Sequence, residues 1–256
     1  MIVSWFSAGV SSAVATKIAN PDRIIYIDID DQHPDTYRFI ADCEKWFNKK
    51  IEILKSPLRN VENACMQAGF IRLPRRNPKC TELLKKRVRK EWEYLNGVGH
   101  TYVWGFDCNE KRRSESTLNG MPKHKHLFPI LNRTKAEVHG ILEVAGIKRP
   151  AMYDMGYENN NCIGCVAGGM GYWNKIRIDF PEVFKKRCEM ERTIQEKGIA
   201  GSRILNECYL DELDPTRGKE QSVIMPDCGM FCEIQEAHPC AERPPQDTAE
   251  AGSTCV

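Results

Sequence analysis

The chain opens on Ile2-Val3-Ser4-Trp5-Phe6 and runs directly into the small residues Ser7-Ala8-Gly9-Val10-Ser11-Ser12. A short run rich in branched and aromatic side chains reads as a buried strand, and the small residues after it as a tight bend into a helix. That helix is expected from about Ser11 to Ala19, where Asn20-Pro21 stops it. A second run, Ile24-Ile25-Tyr26-Ile27-Asp28-Ile29, is almost continuously apolar, as in a parallel sheet covered on both faces. Strand and helix then alternate. A helix is expected from about Pro34 to Asn48 with Phe39, Cys43, Trp46 and Phe47 on one stripe, then a strand over Ile51 to Leu54. Helices follow over Val61 to Ala68 and Cys80 to Leu95, and a strand over Thr101 to Phe106. Thr134 opens a capping box with Glu137, and Gly146 ends that helix. Gly168 to Trp173 reads as a flexible turn before a helix over Pro181 to Lys197. The alternation predicts an α/β fold with a Rossmann-like, doubly wound parallel sheet. Residues 1–200 form the expected domain, 201–240 a short cysteine-containing extension and 241–256 a mobile tail.

No window approaches the ~20 apolar residues that span a bilayer, and no secretory leader is expected. The expected location is the cytoplasm. Most of the 12 cysteines should then be reduced thiols, and spaced cysteines in that setting point to metal or catalysis rather than disulfides. The net charge of +2 matters less than its distribution. Arg72, Arg75, Arg76, Lys79, Lys85, Lys86, Arg87, Arg89 and Lys90 crowd one stretch around Cys80. Such a stretch captures anions through guanidinium forks or tracks a nucleic-acid backbone. Some of it, Lys86 and Lys90 in particular, reads as an ordinary solvated helix face.

A small-residue bend between a strand and a helix lets backbone N–H groups approach a phosphate closely, with the helix N-terminus adding positive potential. No Gly-Lys-Ser/Thr follows, so the bend is not the P-loop of kinases and GTPases. Ligands of open α/β sheets sit at the carboxyl ends of the strands, where the acidic residues Asp28, Asp30 and Asp31 also lie.

Ser7-Ala8-Gly9-Val10-Ser11-Ser12 resembles the PP-loop, Ser-Gly-Gly-x-Asp-Ser, of the ATP pyrophosphatase and phosphoadenosine phosphosulfate (PAPS) reductase superfamily. Further segments follow in that superfamily's order: Asp28 with His33-Pro34-Asp35-Thr36, Cys80-Thr81-Glu82-Leu83-Leu84-Lys85, Gly105-Phe106-Asp107 through Glu110 and Arg113, Phe128-Pro129-Ile130, and Cys162-Ile163-Gly164-Cys165. The resemblance covers roughly residues 1–190 and implies a PP-loop, HUP-type fold. It implies that Ser7, Ala8, Gly9, Val10, Ser11, Ser12, Asp28, Gly105 and Glu110 bind an adenine nucleotide, with Arg113 on its phosphates. Ala8 stands where the family has glycine and Ser11 where it has aspartate. The choice of nucleotide, and whether ATP with Mg²⁺ is cleaved, therefore stay open.

Cys80 and Cys162-x-x-Cys165 resemble, at family spacing, the cysteines that hold a [4Fe–4S] cluster in iron–sulfur sulfonucleotide reductases. There a Cys-Cys pair supplies two ligands; here Lys79 and Thr81 flank a single Cys80. Cys108 is the fourth ligand expected, with Cys188, Cys228 or an iron open to sulfide as alternatives. Zinc would accept the same donors. Asp227-Cys228-Gly229-Met230-Phe231-Cys232 faintly resembles the Glu-Cys-Gly-x-His nucleophile of PAPS reductases, which makes Cys228, with Lys85 and Arg113, a catalytic candidate; a separate zinc site with His238 and Cys240 is the other reading. Cys43 reads as core, and Cys65 and Cys208 carry no motif.

The resemblance implies an enzyme that cleaves ATP at the α-phosphate and adenylylates a substrate for sulfur insertion. The Dnd and Ssp phosphorothioation systems and tRNA thiolases are the similar cases. A cysteine desulfurase is then the expected sulfur donor, and DNA or RNA the expected acceptor. A PAPS or adenosine phosphosulfate reductase fed by thioredoxin is the second reading. A non-catalytic nucleic-acid-binding subunit with a structural metal is the third. None needs a membrane.

Overall fold

The computed structural model describes residues 1–73, 77–198, 200–219 and 224. Five parallel strands form one sheet: β1 (Ile2–Phe6), β2 (Arg23–Asp28), β3 (Ile51–Lys55), β4 (Thr101–Val103) and β5 (Lys125–Leu127). Their order is β3-β2-β1-β4-β5. Val3 lies opposite Arg23, Ile2 opposite Thr101, Ile24 opposite Ile51 and Thr101 opposite Lys125. The chain winds outward from β1 in both directions, so the sheet's switch point falls between β1 and β4. A crevice opens there, outside the carboxyl ends of the strands. This is the doubly wound architecture that the alternation predicts.

Period-2 alternation sorts the strand side chains between two layers. Phe6, Ile24, Tyr26 and Val103 pack against α1 (Val10–Ala19), α2 (Asp35–Phe47) and α6 (Lys135–Val144). Val3, Ile25 and Tyr102 face the other way and meet Trp92 of α4 (Arg87–Asn96), and α5 (Lys111–Gly120) and the short α7 (Ala151–Asp154) flank α6 in the chain. Thr134 and Glu137 form the expected capping box, and Gly146 ends α6 at φ 69°. A third cluster lies beyond the strand ends. It gathers Ile29, residues of α3 (Val61–Ala68), Leu84, and residues of α8 (Met170–Asp179) and α9 (Pro181–Glu196).

Four expectations of local structure change. The helix expected from Cys80 begins with a π-helical stretch, Thr81–Lys86, before α4. The strand expected to reach Phe106 ends at Val103, although Trp104 N–H still reaches Leu127 O at 3.0 Å. The glycine-rich stretch at 168–173 is only partly a turn, because Met170 already begins α8. Short β5 carried no strand signal in the sequence. Ile204, Leu205, Leu210 and Leu213 are buried in the third cluster, so close packing continues past residue 200. Among the described residues, no helix is long and apolar enough to cross a membrane.

Candidate nucleotide and thiol site

Ala8 adopts φ 55°, a left-handed conformation that favours glycine. Neighbours hold it there. Asn160 Nδ2 donates to Ala8 O at 2.8 Å and to Thr36 Oγ1 at 3.2 Å. Ser7 N–H donates to Ser12 Oγ at 3.0 Å, which closes the bend on itself. Gly9 caps α1 without a side-chain bond. Val10 N–H instead donates to the Tyr153 hydroxyl at 3.3 Å. The next two amides, Ser11 and Ser12, lie in the first turn of α1, where no intrahelical acceptor exists, and they remain available to a ligand.

Gly105 forms the opposite wall. A Cβ there would stand 2.8 Å from backbone atoms of Ser11 and Ser12, so only glycine lets the chain after β4 lie against the start of α1. Beyond it, Asp107 and Glu110 form a capping box on the 3₁₀ turn Cys108–Glu110. Burial raises the Asp107 carboxyl above its usual range. Arg113 pairs with Glu110 and lays its guanidinium 4.7 Å from the centre of the Phe106 ring. It is exposed, with 67% of its side chain accessible.

Asp28 is buried and already engaged. It accepts from the Tyr37 hydroxyl at 2.8 Å and pairs with Lys55 at 3.6 Å and Arg59 at 3.7 Å. His33 has a local role, its Nδ1 accepting from Asp35 N–H at 3.2 Å at the entry to α2.

Asp31 joins the elements that carry the thiols. Its carboxylate accepts from Val61 N–H, at the start of α3, at 2.6 Å, and from Arg187 at 2.6 Å. Its carbonyl accepts from Ile163 N–H at 2.7 Å. Arg187, only 3% exposed, also donates to Gly164 O at 3.2 Å. Gly164 sits at φ 70°, and a Cβ there would meet Val183 Cγ1 at 2.6 Å. The Tyr172 hydroxyl accepts from Cys165 N–H at 2.9 Å and donates to Cys162 O at 3.1 Å. The Cys162–Cys165 turn is thus braced from both ends.

Cys65, Cys80 and Cys162 share the third apolar cluster. The Cys65 and Cys80 thiols are hydrogen-bonded, and Cys80 N–H also donates to the Cys65 sulfur. Cys80 lies within electrostatic reach of Cys162 and Cys165. Gln32 Nε2 donates to Cys162 Sγ at 3.6 Å. Burial pushes the Cys162 thiol up to about 12 and raises Cys165. The bond from Cys80 lowers Cys65 while raising Cys80. Lys85, exposed to solvent, faces Cys80, Cys162 and Cys165, and its charge opposes the rise at all three.

The expected fourth ligand, Cys108, stands apart from this group. It lies on the turn after β4, is disulfide-bonded, and is outside the cluster that holds the other thiols. Cys65, which carries no motif, takes the place beside Cys80. Cys188 faces Glu191 and Asp211 instead. Cys43 is core between β2 and α2, as expected. Cys228, Cys232, His238 and Cys240 lie outside the described residues, as do Arg75 and Arg76. Among the described residues, no three His, Cys, Asp or Glu side chains converge at the spacing of a bound ion. The thiols are soft donors of the kind that iron–sulfur and zinc centres take, and Lys85 and Arg187 face them as counter-charges.

The sequence reading missed Asn160, Tyr153 and Cys65. Asn159-Asn160-Asn161, directly ahead of Cys162, is the one signal that could have pointed to the first.

Residues 1–168 match the family model of the phosphoadenosine phosphosulfate reductase domain. The chain belongs to that family. Two uncharacterized proteins of Methanocaldococcus jannaschii are similar. One is 24% identical over 192 residues, covering 71% of this chain and 45% of the relative. The other is 25% identical over 209 residues, covering 77% and 42%. The chain therefore spans less than half the length of these curated relatives. Among solved structures, the phosphate complex of phosphoadenylyl-sulfate reductase from Candida auris aligns at a TM-score of 0.46 and 16% identity, covering 62% of this chain and 80% of that one.

Proposed function

We propose that this PAPS reductase-family chain binds ATP with Mg²⁺ at Ser7–Ser12, cleaves it at the α-phosphate and adenylylates an acceptor for sulfur insertion. One observation carries the reading. Asn160, two residues ahead of Cys162, holds the carbonyl of Ala8 in the phosphate bend, so anion-binding amides and thiols are neighbours through one short segment. An acceptor oxygen attacks the α-phosphorus and pyrophosphate leaves. A sulfur nucleophile then displaces AMP. The Ser11 and Ser12 amides hold the α-phosphate. Arg113, released from Glu110, neutralises charge as pyrophosphate departs. Lys85 keeps positive charge beside the thiols. Cys80, Cys162 and Cys165 would hold an iron–sulfur centre, which would supply a sulfur-binding Lewis acid there. Lys85, Lys86, Arg87 and Lys90 are all exposed, a cationic face suited to a nucleic-acid acceptor in the cytoplasm.

The family model favours a second reading, in which PAPS or adenosine phosphosulfate occupies the same bend. The Cys228 thiolate attacks the sulfate sulfur, the nucleotide leaves, and a second thiol, from thioredoxin, releases sulfite as a disulfide forms. One panel tests both with anaerobically purified protein. Pyrophosphate released from ATP supports the first reading, and sulfite released from PAPS or adenosine phosphosulfate supports the second. Neither release, with salt-dependent binding of DNA or RNA, overturns both in favour of a non-catalytic binding subunit.

A further inference from the structure

We infer that the outward face of α4 is a docking surface for single-stranded nucleic acid, with Tyr94 as the platform on which an unpaired base stacks. The inference rests on the nucleic-acid-acceptor reading proposed above and names the form of that acceptor. The buried face of α4 is taken up by Val88 and Trp92. Tyr94 is 89% exposed, and among the described residues its hydroxyl makes no hydrogen bond and its ring meets no other ring. Leu95 beside it is 80% exposed. Contiguous exposed apolar residues rimmed by charge mark interaction surfaces. Arg87, Lys90, Glu91, Tyr94 and Leu95 line one shallow, open groove. Lys86, Lys90 and Tyr94 follow one another at i, i+4 and i+8, and so form a single row ~12 Å long.

Charge selects the occupant. The carboxylates of this face are already taken, Glu82 by Lys79 at 2.9 Å and Glu91 by Arg87 at 2.8 Å. Lys86 and Lys90 are exposed and form no salt bridge among the described residues. The surplus is positive, which fits a polyanion. It works against a second copy of this chain, because a two-fold interface would set the row of lysines against itself. Ring and cations together select an unpaired strand. Its phosphates lie along the lysines while a base stacks on the ring, an arrangement that tolerates any sequence. In a duplex the base faces are covered by their neighbours, and Tyr94 has nothing to stack on. The row begins at Lys86, at the end of the π-helical stretch that follows Cys80, so a strand bound along α4 starts one short segment from that thiol.

The test is fluorescence anisotropy of the full chain with labelled mixed-sequence RNA and DNA single strands and with their duplexes, across a salt series. Wild type is expected to bind a single strand about tenfold or more tightly than the duplex. Tyr94→Ala is expected to weaken single-strand binding about tenfold with the salt slope unchanged, and Tyr94→Phe to restore it. Lys86→Ala and Lys90→Ala are each expected to lower the slope of log affinity against log salt by about 0.7. All of these changes lie at exposed positions, so melting temperatures are expected to stay at the wild-type value. A duplex bound as tightly as the single strand, or Tyr94→Ala binding as tightly as wild type, overturns the inference. So does self-association that Tyr94→Ala abolishes in a chain that binds no nucleic acid, which assigns the face to a contact between copies. Pyrophosphate release from ATP, followed in the same preparation, separates this inference from the function proposed above. Release without single-strand binding overturns the surface alone. Single-strand binding without release supports the surface and overturns ATP cleavage.

Discussion

Asn160 buries its amide between the phosphate bend and the first turn of α2, and its Oδ1 has no partner among the described residues. Replacing it with alanine leaves Ala8 O buried without its donor, at a cost of about 1–3 kcal/mol. The bend then loses the contact that holds a non-glycine residue in the left-handed region. Asn160→Ala is therefore expected to lower the melting temperature and to weaken adenine-nucleotide binding about tenfold, measured by thermal melts and calorimetric titration; unchanged affinity contradicts this role. Residue types alone could place the bend and the Cys-x-x-Cys, because small residues after a strand and paired thiols are local patterns. They could not place Asn160, Tyr153 or Cys65. Each acts through a partner far along the chain, such as Ala8 for Asn160 and Val10 for Tyr153, and proximity of that kind leaves no local signature. Cys108 shows the converse, since a plausible residue type on a plausible loop is disulfide-bonded and lies outside the apolar cluster that holds Cys65, Cys80 and Cys162.

At the scale of elements, the approach of the chain after β4 to the start of α1 sets the width of the crevice. Gly105→Ala forces its Cβ to within 2.8 Å of the Ser11 and Ser12 backbone. Backbone cannot yield as a flexible side chain does, so overpacking is expected to cost about 1–3 kcal/mol and to displace the two ligand-facing amides. A urea midpoint lowered together with weaker nucleotide binding is the expected pair of results. Strands β1, β2 and β3 were legible because each is an apolar run bounded by breakers. Strand β5, Lys125-His126-Leu127, was not, because a three-residue polar edge strand takes its structure from pairing with β4. The glycines before α8 read as a turn. The helix nonetheless forms at Met170, where Trp173 N–H bonds back to Gly169 O and Trp173 itself is fully buried. Tertiary packing outweighed local propensity there.

The whole molecule is closed by Glu191. Fully buried on α9, it accepts Ile204 N–H at 2.5 Å and Leu210 N–H at 2.7 Å, tying the segment after α9 to the core. Burial raises its carboxyl from 4.5 to about 7, against the two amide bonds that pull it down. A folded-state value above the unfolded one means that the fold favours the protonated form. The contribution of Glu191 is fully present below pH 4.5 and is lost as pH rises through about 7. Wild-type stability relative to Glu191→Gln is expected to fall by on the order of 3 kcal/mol between pH 5 and pH 8, read from denaturant midpoints; a flat difference contradicts it. Asp35 acts in the opposite direction at the acid end. Its hydrogen bond from Arg38 holds it at about 2, so its contribution is present above 3.8 and lost as pH falls toward 2.

The central claim is that the bend after β1, fixed by Asn160 and walled by Gly105, grips an adenine nucleotide beside the thiols. The most direct measurement is equilibrium titration of ATP, PAPS and adenosine phosphosulfate onto anaerobically prepared protein, alongside Gly105→Ala. Saturable binding of at least one nucleotide, weakened about tenfold or more in the variant, is the expected result. Failure of all three to bind the wild-type protein contradicts the account.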